Sequence, residues 1–238
     1  MFPNNFISAT KEYCTFEKHV NAPYIRKHVD LKNDSKAEIV ITGLGFYRLF
    51  VNGKEITKGI LAPYISAPDD VVCYDKYEVA LNKGKNIIGV ILGNGMQNAF
   101  GGAVWDFDKA AWRSAPKTAF SITTDEGVFE SDLDCKCYPS PITYDDLRGG
   151  EYYDARLEID NWSEASFDDS NWNNVIEAVE PKGEKRFTVA DPIVTTMKLS
   201  PVSVTKINDL AYVYDFGVNA AGNILLKMKG EKGRKITI

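Results

Sequence analysis

No stretch of the chain approaches the roughly 20 consecutive apolar residues of a membrane-spanning helix. The start, Met1 to Thr10, has neither the basic nor the apolar region of a signal peptide. A cytoplasmic location is therefore expected. Histidine is nearly absent: His19 and His28 are the only two. Neither stands near a G-x-S-x-G or cysteine motif, so a triad has no base to run on. Both read as surface or edge-strand residues. Four cysteines in 238 residues, Cys14, Cys73, Cys135 and Cys137, are too few for a disulfide framework. Cys135 and Cys137 stand two apart, without the C-x-x-C pairs of a zinc site. They read as reduced structural thiols, with metal or redox chemistry as the alternative. The Walker A loop, H-E-x-x-H and the EF-hand pattern are all missing. Gly93-Asn94-Gly95 opens like a dinucleotide fingerprint, but Asn98 stands where the third glycine belongs and no helix pattern follows. Excess positive charge is also lacking. A net charge of −5 disfavours nucleic acid and anionic membranes as partners.

What remains is an ordinary soluble composition, 44% hydrophobic and 26% charged. A chain this long removes roughly 70% of its unfolded surface on folding. The dominant pattern is short apolar runs separated by turn residues, which reads as strands. Ile39–Thr42 is one such run and Phe46–Val51 the next. Asn52-Gly53 follows directly and suits a type I′ turn, with Lys54–Thr57 returning as the partner strand. Asn86–Leu92 does not alternate, so a central strand covered on both faces is expected. Phe120–Thr124 and Val128–Glu130 flank Asp125-Glu126-Gly127 as another hairpin. Helical periodicity is scarce, with one short turn at Asp168–Trp172. The expected fold is all-β, a jelly-roll β-sandwich over residues 1–180. The polar stretch Glu180–Lys185 marks a boundary. Residues 181–238 carry further strand signals at Val202–Val204, Ala211–Tyr214, Ile224–Met228 and Lys235–Ile238. These are too few for an independent core, so a truncated second β-sandwich is expected. Its unpaired edges make a homodimer a further expectation.

Charge is uneven along the chain. Thr143–Glu180 holds eleven acidic side chains against two arginines, a balance of −9 that leaves +4 elsewhere. This is a solvated face or a cation-attracting one. Asp145, Asp146, Glu151, Asp154, Asp168 and Asp169 are abundant enough for paired-carboxylate chemistry, but spacing alone sets no two of them across a substrate. The segment Gly93–Trp112 is more informative. It follows the buried strand, is long for a loop, and mixes amides, aromatics and acids. Aromatic rings cover the apolar faces of sugars, and amides and carboxylates bind their hydroxyls. Trp105, Phe107 and Trp112 either do this or pack the loop onto the sandwich.

Several segments together resemble one family. Gly45–Lys54 (GFYRLFVNGK) followed by Leu61-Ala-Pro-Tyr64 is similar to the opening of the N-terminal domain of bacterial alpha-L-rhamnosidases. Val90–Gly95 looks like that domain's central strand and loop. Gly150–Glu158 looks like its G-E-x-Y-D-A-R signature. Trp162 with Phe167–Trp172 resembles its closing segment. Tyr214–Gly222 resembles the start of the next β-sandwich, with Val218 where the family usually has glutamine.

The resemblance implies a parent enzyme that hydrolyses terminal alpha-L-rhamnosides with inversion. Its acidic pair would lie in a helical (α/α)₆ barrel C-terminal to this chain. The chain itself would then be a non-catalytic fragment that binds rhamnose-containing carbohydrate and packs on that barrel. The carbohydrate contacts implied by loop position are Asn52, Asn94, Asn98, Trp105 and Asp106. No cofactor is required, and a calcium ion is compatible with the resemblance. Asp154 and Arg156 are expected on one strand face, paired with each other or with neighbours. Two other readings stay open: a purely structural module and a stand-alone β-sandwich lectin.

Overall fold

The computed structural model describes residues 2–100 and 106–238. The alternating runs become strands because each buries one row of apolar side chains. Seven of them form the first sheet: β1 (Ile7–Ser8), β3 (Ser35–Leu44), β6 (Val71–Leu81), β8 (Lys117–Thr124), β9 (Gly127–Glu130), β14 (Ile176–Glu177) and β15 (Glu184–Phe187). Their order is β14-β1-β8-β3-β6-β15, with β9 also paired to β8. The second sheet runs β13-β10-β2-β7-β4-β5. Its strands are β2 (Pro23–Leu31), β4 (Phe46–Val51), β5 (Lys54–Glu55), β7 (Gly84–Gly93), β10 (Lys136–Pro139) and β13 (Asn173–Asn174). Neighbours are antiparallel except β15, which lies parallel to β6. Ile39, Ile41, Phe120 and Ile122 of the first sheet share one buried cluster with Ile25, Leu49, Ile88 and Val90 of the second. The chain is thus an all-β protein built on a β-sandwich.

The Asn-Gly hairpin forms as the sequence predicts. Asn52 and Gly53 both take positive φ, 47° and 85°, between β4 and β5. The unalternating run becomes β7, which lies between β2 and β4. Ile88, Val90 and Leu92 enter the core. Gly89 and Ile91 point the other way, beneath a third layer.

That layer is the segment after β12 (Gly150–Tyr153), which pairs with β11 (Ile142–Asp146) in a separate hairpin. Trp162 and Trp172 are buried with Tyr24 on the outer face of the second sheet. Tyr24 stacks on Trp162 at 4.3 Å between ring centroids. A side chain at Gly89 would meet the Trp162 ring at 2.9 Å.

Arg26 fastens the layer down, although its side chain is wholly buried. Its Nε donates to Asp169 at 2.8 Å, and its Nη atoms donate to the carbonyls of Trp162, Glu164 and Phe167. Its guanidinium lies 5.1 Å from the Phe167 ring centroid. His28 Nε2 reaches the same Asp169 oxygen at 2.7 Å. Burial opposes charge on Asp169, but the hydrogen bonds from Arg26 and His28 outweigh it and hold the carboxyl below its usual range. His28 is therefore part of this clamp.

Three expectations need correction. Asp154 and Arg156 do pair, at 2.8 Å between Nε and Oδ1, but around a 3₁₀ turn over Ala155–Leu157 rather than along a strand. The chain divides after Ile193, not at residue 180. The reason is that β15 adds to β6, and Ile193 bridges Ile60. Within the second unit, Val194–Ile238, β16 (Ser203–Asn208) and β17 (Ala211–Asp215) form a hairpin in the expected places. The runs at 224–228 and 235–238 find no ladder partner and are not strands. Among the described residues no helix is long and apolar enough to cross a membrane.

Candidate functional site

The 94–114 segment leaves β7 at one end of the sandwich and is anchored by a buried polar knot. Asn94 is fully buried. Its Nδ2 donates to the Val20 carbonyl at 2.9 Å and to Asp145 Oδ1 at 2.8 Å. Its Oδ1 accepts from Asn98 Nδ2 at 2.9 Å. Asp145 Oδ2 accepts the backbone N–H groups of Asn94 and Gly95 at 2.6 and 3.0 Å. Asn98 Oδ1 accepts the Cys14 N–H at 3.0 Å, which draws the N-terminal segment into the knot. Desolvation outweighs the three N–H donors, so the Asp145 carboxyl is raised above its ordinary range. Gln97 ties the loop to itself, donating to the Trp112 carbonyl at 2.7 Å.

This geometry reassigns most of the implied sugar contacts. Asn94 and Asn98 spend their amides inside the knot and show nothing to solvent. Asn52 donates to Asn86 Oδ1 at 2.9 Å and accepts the Ile87 N–H at 2.8 Å, so it holds the β4–β5 turn. Asp106 is exposed, and its carboxylate pairs with Lys109 at 3.0 Å. Trp105 lies outside the described residues. The knot partners Cys14 and Asp145 escape sequence reasoning because their partners are 51 to 84 residues away. Asp145 is one acid among many in its stretch, and no local pattern marks it.

Two surfaces flank the knot. On one side a shallow open groove, enclosing about 30 Å³, is lined by Phe46, Tyr64, Cys73, Met96, Gln97 and Trp112 among others. Phe46 and Trp112 are half-buried and Tyr64 is exposed, so three rings meet at a concave surface. On the other side His19, Phe16, Phe100, Tyr144 and Tyr152 form a chain of ring contacts.

Three of the acids singled out by the sequence are committed to structural bonds. Asp145 is consumed by three donors, Asp154 by Arg156 and Asp169 by Arg26 and His28. Among the described residues no three His, Cys, Asp or Glu side chains group as metal ligands. The polar atoms turned toward Asp145 are N–H donors, which a calcium ion cannot use. The Asp145 carboxylate, turned onto N–H groups, therefore does not present a calcium site.

All four cysteines are free. Burial raises the thiols of Cys14, Cys135 and Cys137, that of Cys135 to about 12. Cys73 is partly exposed. A disulfide reagent at pH 8 should therefore titrate one thiol in the native chain and four in denaturant. Two or more fast native thiols would contradict this burial.

The family model for the alpha-L-rhamnosidase N-terminal domain matches residues 32–197. An alpha-L-rhamnosidase of Formosa agariphila is 32% identical over 239 residues, covering 91% of this chain and 24% of its own. One from Alteromonas is 25% identical over 227 residues, covering 90% of this chain and 24% of its own. Among solved structures, the alpha-L-rhamnosidase from Dictyoglumus thermophilum superposes with a TM-score of 0.77 at 31% identity. The match covers 90% of this chain and 25% of that one. The Streptomyces avermitilis alpha-L-rhamnosidase complexed with L-rhamnose gives 0.67 at 26% identity, covering 83% and 20%. The chain spans about a quarter of the length of the curated relatives it matches.

Proposed function

The chain belongs to the alpha-L-rhamnosidase N-terminal domain family, and from that premise we propose that it is a non-catalytic accessory module of a longer alpha-L-rhamnosidase-type glycoside hydrolase. We propose further that it contacts rhamnose-containing carbohydrate through the Phe46–Tyr64–Trp112 groove. One observation carries the first part: the N-terminal family model accounts for residues 32–197, while the chain spans about a quarter of its relatives. The commitment of Asp145, Asp154 and Asp169 to structural bonds supports it. The second part is supported by the groove's make-up, three rings at one concave surface. The Streptomyces avermitilis relative was solved with L-rhamnose, which gives the sugar to test first.

A second reading has its own observation. Ile60, Leu61, Tyr64 and Ile65, two of them in the groove's lining, are all exposed. This favours a supporting module whose apolar patch is covered by further polypeptide. One titration separates the two. L-rhamnose added to the chain should give saturable quenching of tryptophan fluorescence and calorimetric heat, both lost in Trp112→Ala. No binding at millimolar sugar would discard the carbohydrate part in favour of the supporting module. An aryl alpha-L-rhamnoside should be left intact, and turnover by this chain would refute the non-catalytic assignment.

A further inference from the structure

The groove of Phe46, Tyr64 and Trp112 is small. It encloses about 30 Å³, room for about two water-sized groups. A pyranose ring does not enter such a space, but one substituent of the ring does. The buried part of the lining is apolar. Leu44, Pro63 and Pro68 are buried, and Met96 of the same lining is half-buried. Gln97 is buried too, but its Nε2 donates to the Trp112 carbonyl at 2.7 Å and to Ser114 Oγ at 3.0 Å, so both of its N–H groups are spent. The hydroxyl-bearing side chains of the lining are Tyr64, which is exposed, and Ser66, which is half-buried. Among the described residues no charged side chain lines the groove. The depression thus has the size and the lining for a methyl group, with its hydroxyls nearer to solvent.

We infer that the groove reads the methyl group of 6-deoxyhexoses, so that its ligand class is 6-deoxy sugars of either the rhamnose or the fucose configuration. The inference rests on the proposed carbohydrate contact at the groove. A hexopyranose carries one exocyclic carbon, on C5. In a 6-deoxy sugar it is a methyl, in an ordinary hexose a hydroxymethyl, and in a uronic acid a carboxylate. A methyl there leaves water for contact with Leu44, Met96, Pro63 and Pro68. A hydroxymethyl brings a hydroxyl to which Gln97 has no N–H left to offer, and an unpaired hydroxyl is costly to desolvate. A carboxylate meets no cation in the lining and is rejected more strongly. The ring itself lies across the mouth against Phe46, Tyr64 and Trp112, which cover its C–H face.

Calorimetry on the chain compares two matched pairs, L-rhamnose with L-mannose and L-fucose with L-galactose. The members of each pair differ only in the 6-hydroxyl. Each 6-deoxy sugar should bind about tenfold tighter than its counterpart. Met96→Gln puts an amide where the thioether stood and should bring both ratios toward one. Cys73 reports the position, because it is the partly exposed thiol and lines the groove. L-rhamnose should slow its reaction with a disulfide reagent, and the slowing should follow the Kd that calorimetry gives. Equal affinities within both pairs overturn this inference and leave the groove reading standing. A preference confined to the rhamnose pair overturns the methyl rule, because configuration then decides. Ratios unchanged in a Met96→Gln chain of wild-type melting temperature overturn the role of Met96, and the wild-type pairs carry the test if that variant does not fold. Binding that leaves Cys73 unprotected, or no binding by any of the four sugars, overturns the groove reading and this inference together.

Discussion

Arg26→Met should lower the unfolding free energy of the first unit by about 3–5 kcal/mol, the cost of removing one partner from a buried ion pair. Asp169 would keep His28 but lose its guanidinium, and the carbonyls of Trp162, Glu164 and Phe167 would lose their donors. The two tryptophans of the outer layer should then become solvated. The urea midpoint should fall, and native tryptophan emission should shift to the red at denaturant concentrations where the wild type is still folded. Arg26→Met combined with Asp169→Leu should recover part of the loss, because no uncompensated charge remains. The exposed Arg156–Asp154 pair is the control: Arg156→Met should leave the midpoint in place. A small effect at Arg26 would mean that Trp162 and Trp172 hold the layer without it.

Gly45→Ala is the second large effect, at about 2–5 kcal/mol. Gly45 is the single residue between β3 in the first sheet and β4 in the second. Its φ is +103°, and a Cβ there would overlap the Gly93 carbonyl oxygen. Alanine therefore adds left-handed strain and a collision with backbone. Gly84→Ala separates the two contributions. Its φ is +88°, but a Cβ there meets nothing within 4 Å, so strain alone applies, about 1–2 kcal/mol. Paired urea titrations of both variants measure the difference. Equal losses would show that the corner moves away from Gly93. Phe46 follows Gly45 directly, so the sugar binding proposed for the groove should weaken in Gly45→Ala and not in Gly84→Ala.

Strands and hairpins were legible because their signals are local. Asn52-Gly53 names its own turn, and the unbroken apolar run of β7 names a strand with two covered faces. The second cover was not legible. Nothing around Arg26 in PYIRKHVDL shows that an arginine in a strand serves a segment 136 to 143 residues later. The asparagines of the loop misled for a related reason. An amide that binds backbone and an amide that binds sugar have the same chemistry, and burial separates them. Burial of Asn94 and Asn98 depends on Cys14, Val20 and Asp145, none of which is near in sequence. The second unit shows the reverse case. Ile224–Met228 has a strand's composition, but a strand also needs a partner edge.

The Arg26 clamp also sets an order of assembly. Its acceptors lie at Trp162, Glu164, Phe167 and Asp169, whereas the strand that carries it is synthesised 136 to 143 residues earlier. At synthesis rates of about 5–20 residues per second, roughly seven seconds or more separate Arg26 from Asp169. Through that interval Tyr24, Phe50 and Ile91 have no cover, and a guanidinium sits among them without its counter-ion. The nascent sandwich is thus a half-clad intermediate whose greasy flank closes late, through contacts of high sequence separation. Chaperone demand during translation should fall sharply once Trp172 has emerged.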